Sequence, residues 1–141
     1  MTKDGERGNK EMGIPMSDSG PKGQMGLVLF VGRDIFLGTM VSQAVQKAGF
    51  SSKAVTPAQV YNTVSEDLSV RAVVADLKEA KEYLSEIVEA GSAGSHPKLI
   101  AITFHTDLES KRQAQKAGFE HVIHRSQIAS HLPQILVEKK L

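Results

Sequence analysis

Residues 26–50 read GLVLFVGRDIFLGTMVSQAVQKAGF, and their hydrophobic period changes at Gly32. Gly26–Val31 is a short unbroken apolar run, the pattern of a strand covered on both faces. Beyond it Leu37, Met40, Val41, Ala44, Val45 and Ala48 recur at helical spacing, which predicts an amphipathic helix. Asp34 stands where an N-cap belongs, and Gly49 where a helix is closed. A doubly buried strand followed by a one-sided helix is the opening unit of a parallel sheet.

The same unit recurs downstream. Ser51–Val55 reads as a weaker strand, and Thr56-Pro57 starts a helix with proline at its first position and Val60, Tyr61 and Val64 turned inward. Val70–Ala75 reads as a buried strand ending at Asp76. Glu79–Ala90 reads as one helix with Ala80, Tyr83, Leu84 and Ile87 on one face, stopped by Gly91. Leu99–Thr103 is a strand, Leu108–Ala117 a helix closed by Gly118, and Glu120–His124 the last strand. The final helix presents Leu132, Ile135 and Leu136, and Pro133 is tolerable in it if it begins near Ser130. Five βα units of about 23 residues leave room only for short crossovers. They predict an α/β fold of flavodoxin-like type, a doubly wound five-stranded parallel sheet in the order 2-1-3-4-5. A closed barrel, at about 250 residues, is excluded. Ligands of such sheets sit at the carboxyl ends of the strands. The residues placed there are Gly32, Arg33, Asp34, Asp76, Thr103, His105 and Arg125.

Composition narrows the chemistry. The 141 residues include no cysteine, which excludes a disulfide scaffold, a thiolate metal site and a cysteine nucleophile. Seventeen Lys and Arg face sixteen Asp and Glu, so no overall basic field argues for nucleic acid. No apolar run approaches the roughly 18 residues of a membrane span, and Met1–Gln24 lacks the apolar core of a signal peptide. A cytoplasmic protein is the expectation. Residues 1–24, rich in glycine and mixed charge, read as a flexible tail ahead of a domain at 25–141, with Met16 or Met25 as alternative starts. Neither G-x-G-x-x-G nor a Walker-type loop follows the first strand, which argues against a dinucleotide or nucleoside triphosphate. His121 and His124 fall on opposite faces of one strand and cannot share a metal.

With these residues in place, the chain resembles the receiver (CheY-like) domain of two-component response regulators over about residues 26–138. Asp76 in RAVVADL stands where the family's phospho-accepting aspartate follows its apolar run. Thr103 in KLIAITFHT stands at the switch Ser/Thr, and Arg125 in GFEHVIHRS where the family carries lysine followed by proline. The phrase VGRDIFLGTMVSQAVQKAGF resembles the first loop and helix. The resemblance implies a fold, a phosphorelay role and a partner surface on the fourth helix, fifth strand and fifth helix. In this chain Gly32 and Arg33 take the positions of the family's metal-binding acidic pair. Ser126 takes that of the proline, and Val122 that of the aromatic coupled to the switch residue.

These departures predict a stand-alone pseudo-receiver, not an enzyme, that acts through protein contact with little or no phosphorylation and no cofactor. The partner is a kinase or a downstream regulator, with self-association as the other use of the surface. The helix face Lys111, Arg112, Gln113, Gln115 and Lys116 reads as solvated and falls on that surface. No output domain follows the last helix, so contact is the expected means of action. One alternative is a Mg²⁺-dependent phospho-acceptor at Asp76 in which Asp34 is the surviving metal ligand. Another is a small α/β enzyme built on His105 and Asp107. The plain reading of Asp76 is a helix cap or a salt-bridge partner of Arg33 or Arg125. In the absence of a metal it needs a cation, and Asp76, Arg33 and Arg125 are expected to converge, with Arg33 the nearer partner.

Overall fold

The apolar run after Gly26 forms β1 (Leu27–Val31), and Asp34 caps α1 (Ile35–Lys47) by accepting a hydrogen bond from the Leu37 N–H at 3.0 Å. The computed structural model of the protein describes residues 25–138; the tail expected over 1–24 lies outside the described residues. The chain continues through β2 (Ser51–Val55), a 3₁₀ turn at Pro57–Gln59 and α2 (Val60–Glu66). Next come β3 (Val70–Asp76), α3 (Leu77–Ala80), a second 3₁₀ turn and α4 (Leu84–Ala90). The last units are β4 (Lys98–Thr103), α5 (Leu108–Ala117), β5 (His121–His124) and α6 (Ile128–Val137). All five strands are parallel, in the order β2-β1-β3-β4-β5. Gly49 and Gly118 lie at φ +94° and +124° just past α1 and α5, where an L-residue would be strained.

Alternation along β1 feeds two cores. Val28 and Phe30 pack with Leu37, Val41 and Val45 of α1 and with Ile128, Leu132, Ile135 and Leu136 of α6. Leu29 and Val31 pack on the other face with Val60 and Val64 of α2, Ile87 of α4 and Ala114 of α5. Each of the large aliphatic side chains buried here contributes about 1.5–3 kcal/mol over its exposed state. Because both faces are covered, β3 and β4 are buried almost throughout, which is why their sequences read as continuous apolar runs.

Three expectations need correction. Tyr61 and Tyr83 are exposed. Tyr61 lies about 100° round the helix from Val60, which with Val64 four residues on is wholly buried. The helix expected over Glu79–Ala90 starts at Leu77 and is broken by the 3₁₀ turn Lys81–Tyr83. Asp76 starts it early by capping α3, accepting from the Lys78 N–H. The last helix begins before Ser130, so Pro133 stands inside it. The carbonyl of Ala129, which loses its i+4 donor, belongs to an exposed residue.

A buried lysine went unforeseen. Lys98, at the start of β4, donates from Nζ to the carbonyls of Ile135 (2.5 Å) and Glu138. It bonds one carbonyl of the last turn of α6, which the Glu138 N–H also reaches at 3.3 Å, and the carbonyl of Glu138 just past it, placing a positive charge at the negative end of that helix. No helix of the described residues is long and apolar enough to cross a membrane.

Candidate functional site

Parallel strands bring their carboxyl ends to one edge, and four of the residues singled out above meet there. Asp76 ends β3 and Thr103 ends β4, each only 5% exposed. Arg125 follows β5 and donates from Nη2 to Oδ2 of Asp34 at 3.0 Å. Since β3 and β4 stand between β1 and β5, this pair reaches across the ends of both. The guanidinium also sits 5.4 Å from the centre of the Phe104 ring, which is half exposed.

The carboxylates titrate in opposite directions. Asp34 is held below the ordinary carboxylate range by the Leu37 N–H and, after it, by the bond from Arg125. Asp76 is pushed up, chiefly by burial; the Lys78 N–H and the charge of Arg125 offset this in part. One oxygen of Asp76 accepts from Lys78 at 3.1 Å, and the other has no hydrogen-bond partner among the described residues. A cavity of about 230 Å³ opens over Asp76, Thr103 and Arg125, with Lys78, Lys81 and Asp107 also lining it.

The expected Arg33–Asp76 pair does not form. Arg33 is exposed and lines a separate cavity of about 270 Å³ with Thr56, Glu79 and Tyr83. A charge so close to water gains little by crossing into a buried site, and Asp76 already has an N–H donor and the field of Arg125. Nor are His105 and Asp107 joined. Asp107 caps α5, taking the Ser110 N–H at 3.1 Å on one oxygen and the Ser110 hydroxyl at 2.7 Å on the other. His105 meets His124 edge-on at 6.2 Å instead. On α5, Arg112, Gln113, Gln115 and Lys116 are exposed, and Arg112 pairs with Glu109 at 3.5 Å.

Gly32 has no room to be anything larger. A Cβ there would lie 2.7 Å from Cζ of Phe30 and 3.1 Å from Cβ of Asp76. The Phe30 ring thus takes the space into which a side chain at position 32 would grow. Gly32 stands one residue past the end of β1 and two from Phe30, and that short separation is the sequence signal for this contact.

Comparison with solved structures decides the architecture. A response regulator from Thermotoga maritima superposes with a TM-score of 0.66 at 17% identity, covering 81% of this chain and 99% of the other. A putative response regulator from Chloroflexus aurantiacus gives 0.65 at 13% identity, covering 82% and 100%. The receiver domain of a sensor histidine kinase from Pseudomonas aeruginosa, with magnesium coordinated in its active-site cleft, gives 0.65 at 16%, covering 79% and 93%. The chain has the fold of a receiver domain. No family model and no curated protein matches its sequence.

The magnesium that such a fold implies is poorly served by this receiver-like chain. Magnesium wants several oxygen ligands in near-octahedral array. Asp76 has one free oxygen, while both oxygens of Asp34 are engaged by Leu37 and Arg125. Position 32 has no side chain, and among the described residues no three acidic or histidine side chains gather into a metal site. These residues do not fit a divalent cation.

Proposed function

We propose that this chain is a cytoplasmic receiver-like signalling module that acts by protein contact, with little or no phosphorylation of Asp76. The observation that carries the proposal is the engagement of Asp34 by Arg125. The pair occupies the carboxylate that would otherwise help hold a metal beside Asp76. Phosphoryl transfer to a carboxylate needs positive charge organised between the two anions, and a fixed ion pair does not move to supply it. The partner surface is the face of α5, β5 and α6, edged by the exposed side chains Leu108 and Phe104. A kinase or downstream regulator is the partner class, and a second copy of the chain is the other occupant of that face.

A second reading has its own support. Asp76, Thr103 and Arg125 converge on one cavity, as a phospho-accepting site would require. Intact mass after incubation with acetyl phosphate and Mg²⁺ separates the two. The contact reading expects no phosphoryl adduct; an adduct on the wild type that Asp76→Asn abolishes overturns it.

A further inference from the structure

The outer face of α1 is apolar where a helix facing solvent is normally charged. Ile35 and Phe36 are each 81% exposed, and Met40, one turn on, 38%. From Ile35 to Gln46 the helix has no charged residue. Asp34, just ahead of it, is neutralised by Arg125; Lys47 ends the helix and Lys53 borders its flank. The polar side chains of this face are bonded within the protein. The Thr39 hydroxyl donates to the Ile35 carbonyl at 3.0 Å, and the Ser42 hydroxyl accepts from Ser52 at 3.2 Å and from Gln46 at 3.4 Å. Covering them therefore costs little. Beside these protruding side chains the face is hollow. Gly38 presents no side chain, and a cavity of about 350 Å³ lies between it, Ile35, Thr39 and the edge strand β2, with Phe30 and Val41 behind.

A partner of unlike surface is selected by charge, which this face lacks. A face that carries a bulge and a hollow side by side is instead complementary to itself under a two-fold axis. Taking about 200 Å² for each large side chain, Ile35, Phe36 and Met40 expose about 400 Å² of apolar surface, the size of a large patch on a monomer. Doubled across the axis and joined by the exposed Thr39, Gln43 and Gln46, the contact reaches roughly 1,200 Å², the low end of specific interfaces. We propose that two copies of this chain associate through α1, on a two-fold axis near Thr39, with Phe36 of each seated in the hollow beside Gly38 of the other. The dimer leaves the face of α5, β5 and α6 to the kinase or downstream regulator and presents it twice. The proposal does not depend on whether Asp76 is phosphorylated.

The full chain is followed by sedimentation equilibrium from about 5 to 500 µM, where an interface of this size gives a Kd on the order of 50 µM. Phe36→Ser should weaken association by about tenfold or more, as the loss of a central anchor. Because Phe36 is 81% exposed, the urea midpoint of that variant should stay at the wild-type value. Raising sodium chloride from about 50 to 500 mM should leave association unchanged or tighten it, since the lysines at the rim repel their copies. The chain has no cysteine, so Thr39→Cys places a single thiol near the axis. Mild oxidation should link it to its copy, whereas Gln115→Cys on α5 should stay unlinked. A chain still monomeric at about 500 µM leaves the face to a different protein and overturns the proposal. So does a dimer that Phe36→Ser leaves intact, that salt disperses, or that cross-links through Gln115→Cys in preference to Thr39→Cys.

Discussion

Replacing Gly32 by aspartate would return one acidic side chain to the edge of the sheet, at a cost set by the packing around position 32. The new Cβ would meet Cζ of Phe30 at 2.7 Å, which is 0.7 Å short of the 3.4 Å at which ordinary contact begins. Phe30 is 5% exposed and packs in the core shared with α1 and α6; it also borders a cavity of about 350 Å³ with Ile35, Gly38 and Thr39, so a shift of the ring relieves part of the clash at the expense of that packing. Overpacking of this kind costs about 1–3 kcal/mol. The added carboxylate also faces buried Asp76, so like-charge repulsion acts in the same direction. At a urea dependence of about 1–1.5 kcal/mol/M for a domain of this size, the unfolding midpoint should fall by about 1–2 M. The steric share can be isolated with Phe30→Leu. That substitution destabilises the parent but removes the atom that obstructs position 32, so the double variant should be more stable than additivity predicts by about 1 kcal/mol. Equal midpoints for Gly32→Asp and wild type, or additivity within about 0.3 kcal/mol, would refute the steric argument.

Lys98→Met should lower stability by about 2–3 kcal/mol in urea unfolding, since the carbonyls of Ile135 and Glu138 lose a charged donor. Pro133→Ala should raise the thermal midpoint, with a gain of about 1–2 kcal/mol, by restoring an N–H to the Ala129 carbonyl within α6. Asp76→Asn keeps an oxygen for the Lys78 N–H and removes a buried charge. Because burial raises the folded carboxyl above its unfolded value, ionisation costs stability as pH rises through that interval. The variant should therefore have a higher urea midpoint than wild type at pH 7, and the difference should vanish near pH 3, where both side chains are neutral by the usual carboxylate range of about 4. Asp34 has the opposite sign: its pKa is lowered, so its contribution is present at neutral pH and lost as pH falls through the folded value. Asp34→Asn should flatten the acid limb of the stability–pH profile.

Much of the fold is legible in the chain because burial on both faces leaves a local trace. The runs at 27–31 and 70–76 are apolar at nearly every position, and five such units admit few arrangements. Asp34 is legible as a cap for the same reason, as its partner lies three residues away. Its second partner, Arg125, is 91 residues away and is chosen by the strand order and the reach of a long side chain. No periodicity encodes that choice. For Asp76 the strand order itself favours Arg33, since β1 lies beside β3, but the turn after β1 leaves that side chain in solvent. Lys98 is hidden similarly, since a lysine at a strand start reads as an exposed charge until the end of α6 arrives above it. The break in the third helical segment escapes because its apolar spacing suits one continuous helix, and only the capping geometry of Asp76 shifts its start.

The core between α1 and α6 also bears on how the protein is made. Leu37, Val41 and Val45 come from the first helix, and Ile128, Leu132, Ile135 and Leu136 from the last. On the ribosome the first helix emerges about 90 residues before its partner, several seconds or more at ordinary rates of synthesis. For that time its apolar stripe, and the side of β1 bearing Val28 and Phe30, have nothing to close them. The opposite face, built from the intervening helices, is assembled earlier. Nascent chains halted before Ile128 thus carry one finished layer and one open one, and they are the natural substrates for holding chaperones.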